Sequence, residues 1–256
     1  MIHQFVAPVT DHRLVADGIH VLTLHAPALA ADAMPGQFIN VRTTDGSLPL
    51  LRRPFSIARV TGESVEVLFN IIGLGTRMMG ARRVGDTLDV LGPLGVPFGI
   101  DSGFETAVLV AGGVGVAPFP FLTAMLTQRR KKLITFLGAR SASQITTEHL
   151  ENPHIATDDG SGGFQGTVVQ LLERYLQTTP IERPKIFGCG PTPMLKALSD
   201  LSIRLGVPCE LSLEGDMACG VGICQGCPVE RVDGEKKYAL VCVEGPTFDC
   251  TKIRLT

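Results

Sequence analysis

Tryptophan is absent from these 256 residues and tyrosine occurs only twice, so the chain has few flat aromatic faces on which bases could stack. Charge is sparse as well. Charged residues make up 19%, and Lys+Arg 23 against Asp+Glu 25 leaves a net charge of −2. That balance provides neither a basic face for nucleic acid nor an acidic tail. The N-terminal MIHQFVAPVTDHR has no basic region leading into an apolar core, so no signal peptide is expected and a cytoplasmic location is. Cysteine is missing from everything before residue 189. What is plentiful is apolar, at 45%, with 29 glycines and 17 prolines. This excludes a disordered chain and suits about two turn-rich domains with a proper core.

Residues 106–128 carry no charge and are long enough to span a bilayer. Gly112, Gly113, Gly115, Pro118 and Pro120 would interrupt a spanning helix, so the run is expected to be a buried strand, a glycine loop and a buried helix.

All seven cysteines fall in the last third of the chain, and an odd number without an export signal argues against a disulfide framework. Cys219, Cys224, Cys227 and Cys242 form C-x4-C-x2-C-x14-C, opening in the string CGVGICQGC. This is the plant-type [2Fe–2S] spacing, in which a tight loop wraps a small cluster. Glycines between the thiols let backbone N–H groups turn toward the sulfurs and favour the extra negative charge of reduction. Structural zinc is the competing metal, although zinc ribbons use two C-x2-C knuckles and only one such pair exists here. Residues 237–243 are strand-like and would bring Cys242 back to close the site. Cys189, Cys209 and Cys250 are left over as small core or surface residues. The six histidines show no i,i+4 pairing and receive no metal.

Residues 1 to about 100 read as short strands and turns, among them IHVLTLHA, GQFINVR, SVEVLFNII and DTLDVLGPLG, which points to a small antiparallel barrel. Within it, Arg53, Pro54, Phe55 and Ser56 end an apolar run. A fixed arginine suits a diphosphate and a serine hydroxyl suits a polar heterocycle edge. Gly73, Gly75 and Thr76 then enter a short helical piece, a possible anion site or simply a turn. After residue 104 strands alternate with helices, as a parallel sheet requires. Two glycine loops, GGVGVAP and GCGP, follow strands and open helices. Gly113-x-Gly115-x-x-Pro118 departs from the strict G-x-G-x-x-G fingerprint but has similar mechanics at a pyrophosphate. The expected fold is therefore α+β and multidomain: an antiparallel β-barrel over residues 1–101, an α/β parallel-sheet domain over 102–208 and a small C-terminal cluster-binding domain over 209–256.

RPFS, GLGT, GGVGVAP and GCGP in this order resemble the ferredoxin–NADP⁺ reductase superfamily. LSLEGDMACGVGICQGC, with EGPTFD after it, narrows the resemblance to the electron-transfer subunits of type B dihydroorotate dehydrogenases. It covers nearly the whole chain. The resemblance implies that Arg53, Pro54, Phe55 and Ser56 contact FAD, with Ser56 near the flavin N5 region. It places Asn70, Ile71 and Ile72 at the adenine side, and Gly75 with Thr76 at the pyrophosphate. Gly112, Gly113, Gly115, Pro118, Cys189, Gly190 and Pro191 would flank NAD, and the four spaced cysteines would hold the [2Fe–2S] cluster. Ile72 and Leu74 are neutral where relatives often carry a basic residue. Arg140, followed by Ser141, could meet a 2′-phosphate, but the resemblance favours NAD over NADP.

Nicotinamide exchanges two electrons as hydride and a [2Fe–2S] centre passes one, so a chain with both sites needs something flavin-like between them. No dihydroorotate-oxidising machinery is present. The resemblance supplies it as an FMN-containing dihydroorotate dehydrogenase catalytic subunit in pyrimidine biosynthesis, two copies of each chain forming a heterotetramer. Neither nucleic acid nor membrane is an expected partner. A related ferredoxin:NADP⁺ oxidoreductase or sulfide dehydrogenase small subunit would share the layout, and a non-catalytic redox sensor would keep only the cluster.

Overall fold

The computed structural model describes residues 1–101, 103–234 and 236–255. Residue 102, the expected first residue of the α/β domain, lies outside the described residues.

Six antiparallel strands close into a barrel: β1 (His3–Ala16), β2 (Ile19–His25), β3 (Phe38–Arg42), β4 (Arg53–Thr61), β5 (Ser64–Asn70) and β6 (Thr87–Leu94), paired in the order β1-β2-β5-β4-β3-β6. Alternation turns Ile39, Val41, Ile57, Val65, Val67 and Phe69 inward, where all are buried. Helix α1 (Pro27–Asp32) follows β2, and α2 (Leu74–Gly80) follows β5.

The second sheet has seven strands, ordered β10-β9-β8-β7-β11-β12-β15, the last being Thr247–Asp249. They are β7 (Thr106–Gly112), β8 (Lys132–Ala139), β9 (Pro153–Thr157), β10 (Phe164–Gln165), β11 (Pro184–Cys189) and β12 (Cys209–Ser212), all parallel, with an antiparallel edge strand far down the chain. Helices α3 (Phe119–Gln128), α4 (Val168–Thr178) and α5 (Thr192–Leu205) cover the sheet. The uncharged run of residues 106–128 is thus β7, a 3₁₀ turn at Gly113–Val116 and α3, and among the described residues no helix is long and apolar enough to cross a membrane.

The central strand β7 shows why it reads as a continuous apolar run. Val108 and Val110 face α4 and α5, while Ala107 and Leu109 face α3. The α3 side also holds Ile19, Val21, Ala58 and Leu68 of the barrel, so the two domains share one core. Beyond β12 come β13 (Pro228–Arg231), β14 (Tyr238–Leu240), β15 (Thr247–Asp249) and β16 (Ile253–Arg254). Strand β13 pairs with β14 and β16, while β15 returns to β12. The last segment therefore adds both β12 and β15 to the nucleotide sheet, and the boundary expected at residue 209 falls at the first residue of β12. The strand expected over residues 237–243 is confined to Tyr238–Leu240. There the chain turns, with the Val243 and Glu244 N–H groups both donating to the Leu240 carbonyl, at 3.0 and 2.9 Å.

Candidate functional site

Strand β4 begins with Arg53, Pro54, Phe55 and Ser56, and β5 ends in Phe69 and Asn70. Phe55 meets Phe69 edge to face at 5.6 Å between ring centroids. Beside them opens a cavity of about 300 Å³, bounded across the gap by the C-terminal ends of β11 and β12. Of the residues expected at a flavin, Arg53, Pro54, Phe55, Ser56, Asn70, Ile72 and Thr76 line it, joined by Gly115 and Cys189 from the glycine loops. The walls are largely apolar with a few polar groups, as cofactor sites are.

Gly75 lies behind this wall rather than in it. A β-carbon there would stand 3.1 Å from Arg53 Cγ and 3.6 Å from Thr43 Oγ1, so the bare glycine lets Arg53 and Thr43 gather at the first turn of α2. The Thr43 hydroxyl is buried with no partner among the described residues. A free hydroxyl, an arginine and first-turn N–H groups form a donor set that fits a diphosphate. The Thr76 hydroxyl is occupied otherwise. It accepts from the N–H groups of Ile72 and Gly73, at 2.9 and 3.1 Å, and shapes the turn. Arg53 is steadied by donating to the Leu51 carbonyl at 2.8 Å.

A second cleft, of about 840 Å³, runs along the C-terminal ends of the parallel strands, where open α/β sheets bind ligands. Gly112, Gly113 and Pro191 line it, as do Asn70, Ile71 and Ile72 from the barrel. Asn70, Ile72, Val114 and Glu214 border both cavities, so the two adjoin. The glycine loops interlock at this junction. Gly115 lies so close to β11 that any β-carbon would collide with the Cys189 carbonyl, and Gly190 packs on Gly112 from behind. Pro118 ends the loop at the start of α3 and touches neither cavity, in the same way that Gly190 supports the wall from outside.

Several lining residues were not among those expected at a cofactor: Phe38, Ser212, Leu213, Glu214 and Met217 line the smaller cavity and Asp158 the larger, beside Arg140, which the sequence had raised for a 2′-phosphate. Arg140 follows β8 as expected, while Asp158 follows β9, a strand not recognised in the sequence. Glu214 lies just past the end of β12 at the mouth of both cavities, and burial holds its carboxyl above the ordinary carboxylate range. Burial, reinforced by the nearby Glu214 charge, pushes the Cys189 thiol up to about 12, which keeps it neutral.

The four spaced cysteines come together as two pairs. Cys219 lies beside Cys224, whose N–H donates to the Cys219 sulfur at 3.4 Å, while Val221 N–H approaches it at 3.5 Å. Cys227 lies beside Cys242, whose N–H donates to the Cys227 sulfur at 3.4 Å. Partial burial raises the Cys219 thiol, but the N–H groups of Cys224, Val221 and Ile223 together with the Cys224 thiol outweigh it and bring it down to about 6. Burial and the Cys227 thiol push Cys242 up to about 12. Among the described residues, no group of three or more His, Cys, Asp or Glu side chains is gathered as one metal ion requires. Two thiol pairs with inward N–H donors fit a two-iron cluster, which takes two thiolates at each iron. Cys209 and Cys250 form a separate buried pair, and Cys189 belongs to the nucleotide junction.

Residues 214–254 match the model of the iron–sulfur cluster binding domain of dihydroorotate dehydrogenase B. The chain is 38% identical over 258 residues to a Lysinibacillus sphaericus protein named dihydroorotate dehydrogenase B (NAD(+)), electron transfer subunit, covering 97% of each chain. Its Desulforamulus reducens counterpart is 36% identical over 252 residues, with 95% of each covered. Among solved structures, a chain of an NADH-dependent reduced ferredoxin-NADP oxidoreductase superposes with a TM-score of 0.87 at 26% identity, over 97% of this chain and 90% of that one. A Neisseria gonorrhoeae ferredoxin NADP⁺ reductase with bound FAD and NADP shares the fold, with a TM-score of 0.66 at 16% identity over 79% of this chain and 92% of that one.

Proposed function

The chain belongs to the electron transfer subunits of dihydroorotate dehydrogenase B, and we propose from that premise that it passes electrons between an FMN-containing catalytic subunit and NAD⁺. The observation that carries this reading is the contiguity of three sites. A flavin-sized cavity abuts a dinucleotide cleft along Asn70, Ile72, Val114 and Glu214, and the cluster segment is built onto the same sheet through β12 and β15. Residues 1–101 would bind FAD, 102–208 NAD and 209–256 the cluster.

When bound, FAD supplies the conversion between hydride and single electrons, and the [2Fe–2S] cluster carries electrons singly. The protein's part is to hold and orient. Arg53, Thr43 and the first-turn N–H groups of α2 would hold the diphosphate, and Phe55 and Pro54 would shape the wall for the heterocycle. Ser56 presents a hydroxyl to its polar edge. The interlocked loops carrying Gly113, Gly115 and Cys189 set how deeply a nicotinamide can enter. Glu214, its carboxyl pKa raised by burial, stands at the junction of the two clefts. Cys219, Cys224, Cys227 and Cys242 would hold the cluster.

The partner in this reading is the FMN-containing dihydroorotate dehydrogenase subunit, two of each chain forming a heterotetramer in pyrimidine biosynthesis. A cytoplasmic location accords with it, since a reducing compartment keeps the seven thiols free. The test is the visible spectrum of anaerobically purified protein before and after NADH. Flavin bands and broad iron–sulfur absorption, both bleaching, are expected, followed by reoxidation through the FMN subunit and orotate. Flavin that NADH does not reduce overturns the reading.

The likeness to the ferredoxin-NADP oxidoreductase chain supports a second reading, in which the partner is a different flavoprotein. Complex formation with the FMN subunit separates the two.

A further inference from the structure

Asn40 is the one buried side chain of the barrel whose nitrogen and oxygen both lack a partner among the described residues. It sits in the middle of β3, fully buried, opposite Pro54 on β4 and Leu91 on β6. On one side, Phe38 and Pro54 form the wall of the flavin-sized cavity, which Asn40 does not itself line. On the other side is Gly220, the residue after the first spaced cysteine. Gly220 has a left-handed backbone, φ +74°, and any β-carbon there would collide with Asn40 Nδ2 and stand 3.0 Å from Leu94 Cδ1. The carboxamide thus lies at the seam between the cavity wall and the turn of residues 219–224.

Burying a carboxamide with none of its hydrogen bonds made is strongly unfavourable, and a leucine would fill the same space without that cost. An amide at this place therefore calls for a partner that the polypeptide does not supply. The turn it faces carries Cys219, whose sulfur already receives the N–H groups of Val221 and Cys224. We infer that Asn40 is a tuning and positioning residue for the iron–sulfur centre, its carboxamide donating from the barrel into the filled 219–224 turn. The inference rests on the cluster reading above. A donor aimed at cluster sulfur favours the reduced, more negative state and so raises the reduction potential. Placed between the flavin wall and the cluster turn, it also fixes how the two approach.

The experiment is a dye-mediated reductive titration of the complete protein, following the cluster by EPR and the flavin by absorbance, for the parent chain, Asn40→Leu and Asn40→Asp. Loss of the donor is expected to make cluster reduction about tenfold less favourable, roughly 59 mV for one electron, with the flavin potential unmoved. Asn40→Asp, which replaces the donor by an anion, should lower the cluster potential further. Gly220→Ala reaches the same contact from the turn and should shift the potential in the same direction, which covers the case of a β3 variant that does not fold. Cluster potentials unchanged in the variants that fold overturn the inference. A shift shared equally by flavin and cluster does so as well, because it marks a general structural role. A parent protein with no cluster signal overturns the functional reading itself, so the two failures are distinct.

Discussion

In the barrel and the parallel sheet, seven-residue strands such as β5 and β7 bury apolar faces, whereas residues 214–254 contribute strands of two to four residues with a loop of thiols between them. The first two regions close around side chains such as Ile39, Val67, Leu109 and Phe187, each fully buried. The cluster segment has far less to bury: Val221 and Ile223 in its loop point outward, Ile223 being 82% exposed. Apolar burial supplies the stability of the first kind of region, and metal–thiolate bonding would add to that of the second. One chain thus combines a site that its scaffold shapes beforehand with a site that its ligand completes.

The sharpest way to break this contrast is Cys224→Ser. It should remove the iron–sulfur absorption and EPR signal altogether while FAD stays bound and is still bleached by NADH. Loss of flavin as well would show that the barrel depends on the cluster segment. The converse is Gly115→Ala, which drives a β-carbon into the Cys189 carbonyl. Overpacking of this kind costs about 1–3 kcal/mol, and displacing the nicotinamide loop should slow NADH-dependent flavin reduction by about a hundredfold with the cluster intact. Stopped-flow reduction and a thermal melt read both parts.

Arg53→Ala tests the diphosphate cradle. A hydrogen bond to a charged group contributes about 1.5–3 kcal/mol, so FAD affinity should fall by about ten- to a hundredfold, measured by fluorescence titration of the flavin-free protein.

Glu214→Gln addresses the junction. The folded protein holds this carboxyl above its unfolded value, so the native state binds more protons, and the associated stability is present in acid and lost as pH rises through the folded pKa. The glutamine variant should therefore melt higher than the parent at neutral pH, with the advantage vanishing below the ordinary carboxylate range. Equal melting at all pH values would show that the carboxylate is compensated. The smallest effect belongs to Asp158→Ala on the exposed rim of the dinucleotide cleft. There NADPH should gain on NADH by roughly fivefold or less, as for exposed charges, in a comparison of turnover with both.

How legible each feature was in the sequence depended on how local its cause is. The thiol spacing was readable because a loop around a small cluster constrains neighbours in the chain, and Arg53 to Ser56 because they are consecutive. Strand β1 was not singled out, since only Ala7 and Val9 of its fourteen residues are buried and almost no apolar period survives. Strand β12 is only four residues long, so nothing flagged Ser212 as a strand end or Glu214 as a residue facing two cavities. Phe38 is one apolar residue among many until β3 is set against β4. Asn40 is likewise one polar residue in GQFINVR until Gly220, far along the chain, closes over it.

The sequence by itself determined the order of modules, the thiol set and the glycine loops, because these follow from short-range requirements: ligand spacing, tight turns, and apolar runs long enough to be strands. Only the tertiary structure decided that the flavin-sized cavity and the dinucleotide cleft share Asn70, Ile72, Val114 and Glu214, and that the last segment is tied to the nucleotide sheet through β15. Those juxtapositions arise from strand pairing and from a core shared by barrel and sheet, which join residues distant in the chain and leave no periodic trace in it.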